Sequence, residues 1–313
     1  MPPQTRVAVV TGANKGIGLA IVRNLALAYP ASALSRASAA PLLIYLTARS
    51  PTRGAAAVAS LQADPALVSA RVLAPQGGPV ALAFHALDIS APASIAAFAA
   101  LLARDHAGAV DLVVNNAGIA LDGFDARVAR DTLRTNYFGT LDVVAALLPL
   151  VAKAAAVPPG RVVNVASMAG ALGRYPPALQ QRFREAAAAG GGAAAFEHAV
   201  GPTNAIMDEF VGAVERGEHE RLGFPSAAYA VSKAGLIGAT GAVALWEKAQ
   251  AEKEGRPARV VNSCCPGWVN TDMTKGRGTK SVDEGAKTPV LLALGDVDGV
   301  VGEFWQDEKV KEW

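Results

Sequence analysis

The stretch Val7-Ala8-Val9-Val10-Thr11-Gly12-Ala13-Asn14-Lys15-Gly16-Ile17-Gly18 decides the fold, because the period of its apolar residues changes within it. Val7–Val10 is a short, mostly β-branched run of the kind that forms a buried strand. Beyond the glycines, Ile17, Ile21 and Leu25 fall four apart with Val22 beside them, which is one apolar face of a helix. A glycine turn between a strand and a helix is where a dinucleotide pyrophosphate binds. The glycines let the backbone turn tightly and approach the phosphates, and the helix start offers free N–H groups and the positive end of its dipole. The spacing G-x-x-x-G-x-G in this context points to a nucleotide site at Gly12, Asn14, Lys15, Gly16, Ile17 and Gly18. The alternative for the glycines alone is a tight turn with no ligand.

The same alternation continues outward. Leu42–Leu46, Val80–Leu87, Asp111–Val114, Arg161–Val165, Arg259–Ser263 and Val300–Trp305 read as strands. Helical patterns at Arg53–Gln62, Ser94–Arg104, Ala126–Ala152 and from Tyr229 to about Lys253 stand among them. Short runs that are apolar nearly throughout, alternating with helices, mean a parallel sheet covered on both faces. The expected fold is therefore a single α/β domain over residues 1–313, a doubly wound (Rossmann) sheet. Two Ala/Ser/Pro/Gly-rich stretches, Pro30–Pro41 and Leu73–Pro79, read as surface loop extensions. Residues 175–225 form a longer insertion with a low-complexity core, Ala186–Ala195. Its later helix carries Ile206, Met207, Phe210, Val211 and Val214 as one apolar stripe.

Composition narrows the class. Of 313 residues 51% are hydrophobic and only 18% charged, which rules out disorder. Twenty-nine basic against 27 acidic residues leave a formal charge of +2, which argues against nucleic-acid and membrane-surface partners. The only cysteines, Cys264 and Cys265, are adjacent. They exclude a disulfide framework and suit a reducing compartment, as buried small residues at a strand end. No signal-peptide hydrophobic region precedes Val7. The apolar stretch Leu141–Val157 is broken by Asp142, Pro149 and Lys153, so a soluble cytoplasmic protein is expected. The histidines at 85, 106, 198 and 219 show no metal-ligand spacing, and no metal is assigned.

The residues after the second strand, Thr47-Ala48-Arg49-Ser50, lack the Asp or Glu that an NAD site places there. Arg49, with Lys15 as second cation, suits the 2′-phosphate of NADP(H). Tyr229 and Lys233 lie four apart at the start of a helix, on one face. An ammonium beside a phenol, with the nicotinamide charge, would lower its pKa from about 10 and let it exchange a proton near neutrality. An isolated Y-x-x-x-K is usually a surface pair, but here it has company. Ser167 stands just past the strand Arg161–Val165, at the carboxyl edge where ligands sit. Its hydroxyl can hold a substrate carbonyl oxygen or cap a turn. Asn136 lies mid-helix among apolar residues, which suggests a kink or a bound water.

Taken in order, T-G-x-x-x-G-x-G, Asn115-Asn116-Ala117-Gly118, Asn136, Ser167, Tyr229-x-x-x-Lys233 and Pro266-Gly267 resemble the short-chain dehydrogenase/reductase superfamily over nearly the whole chain. Gly12 to Arg23, Leu46–Arg49, Cys264–Val269, Thr271-Asp272-Met273 and Trp313 look more narrowly like NADPH-dependent carbonyl reductases. The resemblance implies NADPH as cofactor, a small carbonyl substrate (ketone, aldehyde or quinone) and a monomer. It implies Tyr229 as acid/base and Lys233 on the nicotinamide ribose, lowering the pKa of Tyr229. Ser167 would polarise the carbonyl, and Asn136 would hold a water that links Lys233 to solvent. It places Asp88 and Ile89 at the adenine, Asn115, Ala117 and Gly118 on the adenosine side, and Pro266, Gly267, Val269 and Thr271 at the nicotinamide. Met168 is expected to border the substrate pocket, and Trp268 and Met273 to wall it or serve as lid packing. Three alternatives remain: a catalytically silent nucleotide sensor, a dehydrogenase of a hydroxysteroid-like or secondary-metabolite alcohol, or a sugar-nucleotide epimerase. A sensor would be expected to lose the Tyr, Lys or Ser, and an epimerase spaces its glycines differently and prefers NAD.

Overall fold

The structure, a computed structural model, describes residues 5–106, 110–151, 159–297 and 299–313. Strand β1 (Arg6–Val10) runs through the glycine turn into α1 (Gly16–Ala28), and a one-turn α2 (Ala33–Arg36) precedes β2 (Leu42–Ala48). Helices α3 (Pro51–Gln62) and α4 (Pro65–Ala70) lead to β3 (Val80–Ala86), and α5 (Pro92–His106) leads to β4 (Leu112–Asn115). Helices α6 (Ala126–Leu133) and α7 (Thr140–Leu147) precede β5 (Arg161–Val165). They are followed by α8 (Pro177–Ala188), α9 (Phe196–Glu215), α10 (Ala228–Glu254), β6 (Val260–Cys265), α11 (Val282–Leu294), β7 (Phe304–Gln306) and β8 (Lys309–Lys311).

The strands form one sheet in the order β3-β2-β1-β4-β5-β6-β7-β8. All neighbours are parallel except β7 and β8, which form an antiparallel hairpin at the edge. The winding reverses between β1 and β4, and a doubly wound sheet opens its ligand crevice above that point. One core layer joins the sheet to α1 and α11 through Ile21, Leu25, Ile44 and Leu292. The other joins it to α5, α6, α9 and α10 through Phe98, Leu133, Met207, Phe210 and Val231. This is the single α/β domain that the strand–helix rhythm implies.

Several elements differ from the sequence expectation. The helix expected over 126–152 is interrupted at Arg134–Gly139, which is π-helical, and Ala152 lies outside the described residues. The strand expected at Val300–Trp305 begins only at Phe304. The Pro30–Pro41 extension is anchored: the buried Tyr29 hydroxyl donates to Ala40 O at 2.5 Å, Ser32 caps α2, and Leu34 is buried. The low-complexity run after α8 packs closely, since a Cβ at Gly190 would lie 1.8 Å from the Ala242 carbonyl oxygen of α10. By length and composition α10 could cross a membrane, but most of that stretch is buried inside the domain. The helices of residues 175–225 lie against it, with Ile206, Met207 and Phe210 in the shared core.

Candidate active site

A cleft of about 670 Å³ runs along the carboxyl ends of the central strands, from Arg49 and Asp88 at one end to Tyr229, Lys233 and Met273 at the other. Gly12, Asn14, Lys15, Gly16, Ile17 and Gly18 form its floor, and Ile89, Ala117, Gly118, Pro266 and Thr271 continue its walls.

The floor is made of backbone. Gly12 and Gly16 have φ of +63° and +57°, a conformation that side chains resist, so glycine is required for the turn. A Cβ on Gly12 would also come within 2.7 Å of Ala117 Cα. Thr11, buried beneath, accepts the N–H groups of Asn116 and Ala117 on its Oγ1, each at 3.0 Å. The Asn116 amide in turn donates to the carbonyl oxygens of Thr11 and Gly12. The turn is thereby fastened to the end of β4. Helix α1 starts with no side-chain cap and no acid in its first turn, so its first N–H groups and dipole are left for an anion. These features fit a dinucleotide.

The cations beside the floor are solvated. Arg49 is exposed. Against its own burial, the Asp88 carboxylate is held below the ordinary range chiefly by hydrogen bonds from Ser90 and then by the Arg49 charge. Lys15 Nζ donates to Asp272 Oδ2 at 2.5 Å, and both side chains are mostly exposed. An exposed pair of this kind is worth about 0–1 kcal/mol, so a phosphate can take Lys15 from Asp272 at little cost.

The inner end is buried. Lys233 is 4% exposed, donates to Val165 O at 2.8 Å and lies 5.7 Å from the centroid of the Tyr229 ring. Burial lowers its pKa to about 8, and burial likewise pushes the Tyr229 phenol up to about 12, opposed by a hydrogen bond with Ser167. The lowered value expected for Tyr229 included the nicotinamide charge; the chain's own groups by themselves raise it. The Lys233 ammonium donates to Val165 O at the end of β5, and burial dominates the phenol. Ser167 Oγ accepts the Ala169 N–H at 3.1 Å, and its hydroxyl is also hydrogen-bonded to the Tyr229 phenol.

Asn136 is fully buried in the π-helical turn. Its amide closes a two-way pair with Ile119, accepting N–H at 2.7 Å and donating to O at 2.8 Å, and also donates to Ser232 Oγ. The kink suspected at Asn136 is this π turn. A Cβ on Gly118 would lie 3.2 Å from Asn136 Oδ1 and 3.7 Å from Lys233 Nζ, so the three meet beneath the cleft.

Five assigned positions fall elsewhere. Asn115 is buried in β4 and donates to Asn164 Oδ1 at 2.9 Å; it stands in sheet register opposite Asn164, so Asn116, beyond the strand end, takes the cleft wall. Val269 is buried against Gly285, and Gly267 is pressed on the Lys280 side chain, so neither lines the cleft. Trp268 is 53% exposed with its Nε1 donating to Arg277 O, away from the cleft wall. Met168 packs partly into the core instead of the cleft wall. Cys264 and Cys265 are both buried and free, in opposite core layers; burial pushes the Cys264 thiol up, away from reactivity. Thr11, Leu121 and Asp272 were missed as site residues. Thr11 could have been found from its place directly before the first glycine of the motif.

The fold and this cleft define a dinucleotide-binding α/β protein with a Tyr–Lys pair and a serine at the inner end. The family model for short chain dehydrogenases matches residues 6–178, more than half of the chain. The chain is 40% identical over 315 residues to carbonyl reductase [NADPH] 1 of Homo sapiens, covering 98% of each. It is 39% identical over 320 residues to carbonyl reductase [NADPH] 3 of Rattus norvegicus, covering 99% of each. Among solved structures, salutaridine reductase from Papaver somniferum superposes with a TM-score of 0.71 at 26% identity, over 96% of this chain and 99% of that one. This chain belongs to the short-chain dehydrogenase/reductase family.

Proposed function

We propose that this protein is an NADPH-dependent carbonyl reductase that converts ketones, aldehydes or quinones to alcohols. The observation that carries the reading is one continuous cleft with exposed Arg49 and Lys15 at one end and Tyr229 and Lys233 at the other, with Ser167 hydrogen-bonded to Tyr229 behind the cleft lining. The 40% identity to a named NADPH carbonyl reductase over nearly the full chain supports it. NADPH would lie with its pyrophosphate on the α1 N-terminus, its 2′-phosphate between Arg49 and Lys15, and its nicotinamide toward Tyr229. When bound it supplies the hydride.

The chain's own groups manage the oxygen. Ser167 donates its O–H to the carbonyl oxygen and fixes its position. Tyr229, kept protonated by its high pKa, donates its proton to the oxygen as negative charge develops there; general-acid assistance of this kind is worth ~10²–10⁴-fold. The Lys233 ammonium stabilises the phenolate that Tyr229 becomes, and Gly118 and Asn136 connect Lys233 with the loop at Ile119. Leu121 and Met273, both partly exposed on the cleft wall, give the substrate an apolar surface.

The same reading makes the protein a soluble cytoplasmic monomer acting on small molecules, without nucleic-acid or membrane partners. Its support is the near-neutral charge, the buried α10, and α8 and α9 occupying the outer face of α10, where a second subunit would otherwise dock. The test is loss of reduced-nicotinamide absorbance with a panel of quinones, ketones and aldehydes, beside light scattering of the pure protein. Turnover with NADPH and a mass near 31.9 kDa are expected. Absence of turnover across the panel would overturn the reductase reading, and a stable dimer would overturn the monomer.

A further inference from the structure

Trp313 stands just beyond β8, far in sequence from the cleft, yet its indole Nε1 donates to Gly170 O at 3.1 Å. Gly170 closes the short 3-10 turn Met168–Gly170, whose N-cap is Ser167. Within that turn Ser167 O accepts the Gly170 N–H at 2.9 Å, while Ser167 Oγ accepts from Ala169 N. The orientation of the Ser167 hydroxyl is therefore set by the turn, and the far end of the turn is held by Trp313.

Two glycines make this arrangement possible. A Cβ on Gly170 would come within 2.5 Å of Ala234 N and 2.6 Å of Lys233 C, so the turn rests directly on the α10 backbone beside the catalytic lysine. A Cβ on Gly238, one turn further along α10, would come within 2.7 Å of Trp313 Cη2, so the indole lies on the same helix. The outer edge of the ring meets Phe183 of α8, with centroids 6.0 Å apart at 73°. The turn is gripped between α10 on one side and a tryptophan that α10 and α8 hold in place.

We propose that Trp313 is a positioning residue for Ser167: its N–H bond to Gly170 O fixes the Ser167 turn against the helix that carries Tyr229 and Lys233. The inference rests on the catalytic reading of Ser167 given above. Ser167 must meet both the carbonyl oxygen and the Tyr229 phenol, and a displacement of about 1 Å in such a group can cost ~10²-fold.

Trp313→Phe keeps an aromatic ring on Gly238 and removes the donor. It is expected to lower kcat by about tenfold, with KM for NADPH and the thermal midpoint nearly unchanged, because the cofactor floor is remote from the turn. In a Ser167→Ala background the same substitution is expected to change kcat by less than about twofold, since two residues that act through one group are not additive. An unchanged kcat in Trp313→Phe, or an equal fall in both backgrounds, overturns the proposal. A Ser167→Ala variant as active as the unmodified protein would instead overturn the catalytic reading on which the proposal rests.

Discussion

The two ends of the cleft are built from opposite materials. Around the phosphate turn the wall is backbone, with two glycines at positive φ, an uncapped helix start, and cations that stand mostly in water. Around Tyr229 the wall is packed side chains, with Lys233 4% exposed, Asn136 fully buried and the serine turn pressed against α10. Water at the first end lets Lys15 trade one anion for another at small cost, which suits recognition of a phosphate. Exclusion of water at the second end shifts proton affinities, with Lys233 at about 8 and Tyr229 at about 12, which suits proton transfer. On the proposed function, binding and chemistry fall at separate ends of the cleft.

Tyr229→Phe is the strongest way to split the two ends. Its turnover should fall by ~10²-fold or more while the dissociation constant for NADPH, followed by nucleotide fluorescence, stays within about twofold. If turnover persisted, the inner end would not be the proton source. The reverse experiment removes the outer cations. Arg49→Ala and Lys15→Ala should each weaken NADPH about tenfold while NADH is barely affected, because a charge-assisted bond contributes ~1.5–3 kcal/mol and only NADPH carries the 2′-phosphate. A double variant with an unchanged ratio of NADPH to NADH affinity would remove the phosphate role from that end. The third and smallest effect belongs to the buried end alone. Lys233 loses its charge as pH rises through about 8, while Tyr229 stays protonated to about 12. The kcat for carbonyl reduction should therefore be level near neutrality and fall several-fold by about one unit above pH 8. A profile that stayed level well past that point would show that the Lys233 charge is not needed.

The difference between the ends also explains how much of each could be read in advance. The phosphate turn is local: strand, glycines and helix are contiguous, and each glycine of the motif sits where the spacing put it. The Tyr229–Lys233 pair proposed as catalytic was legible because a spacing of four on a helix fixes a shared face. Asn136 was legible only as an anomaly. Its amide is used by Ile119, 17 residues away, and the π turn that accommodates it has no local signature. The choice of Asn115 over Asn116 failed on strand parity: Asn115 is the last residue in register with β5, so its side chain enters the sheet face. Trp268 and Val269 failed because the segment after β6 turns back on itself, exposing one and burying the other, which composition does not encode.

The sequence by itself determined the doubly wound sheet, the dinucleotide turn, the cations beside it and the Tyr–Lys face, because all of these follow from residue types at short, fixed spacings. Tertiary structure alone decided the rest. It placed α8 and α9 against α10, fixed the serine turn against the Lys233 backbone, brought Trp313 across 143 residues to hold that turn, and set the proton affinities of Tyr229 and Lys233. The physical reason is desolvation and close approach. Both depend on which surfaces exclude water from one another, and that is fixed only when distant segments pack.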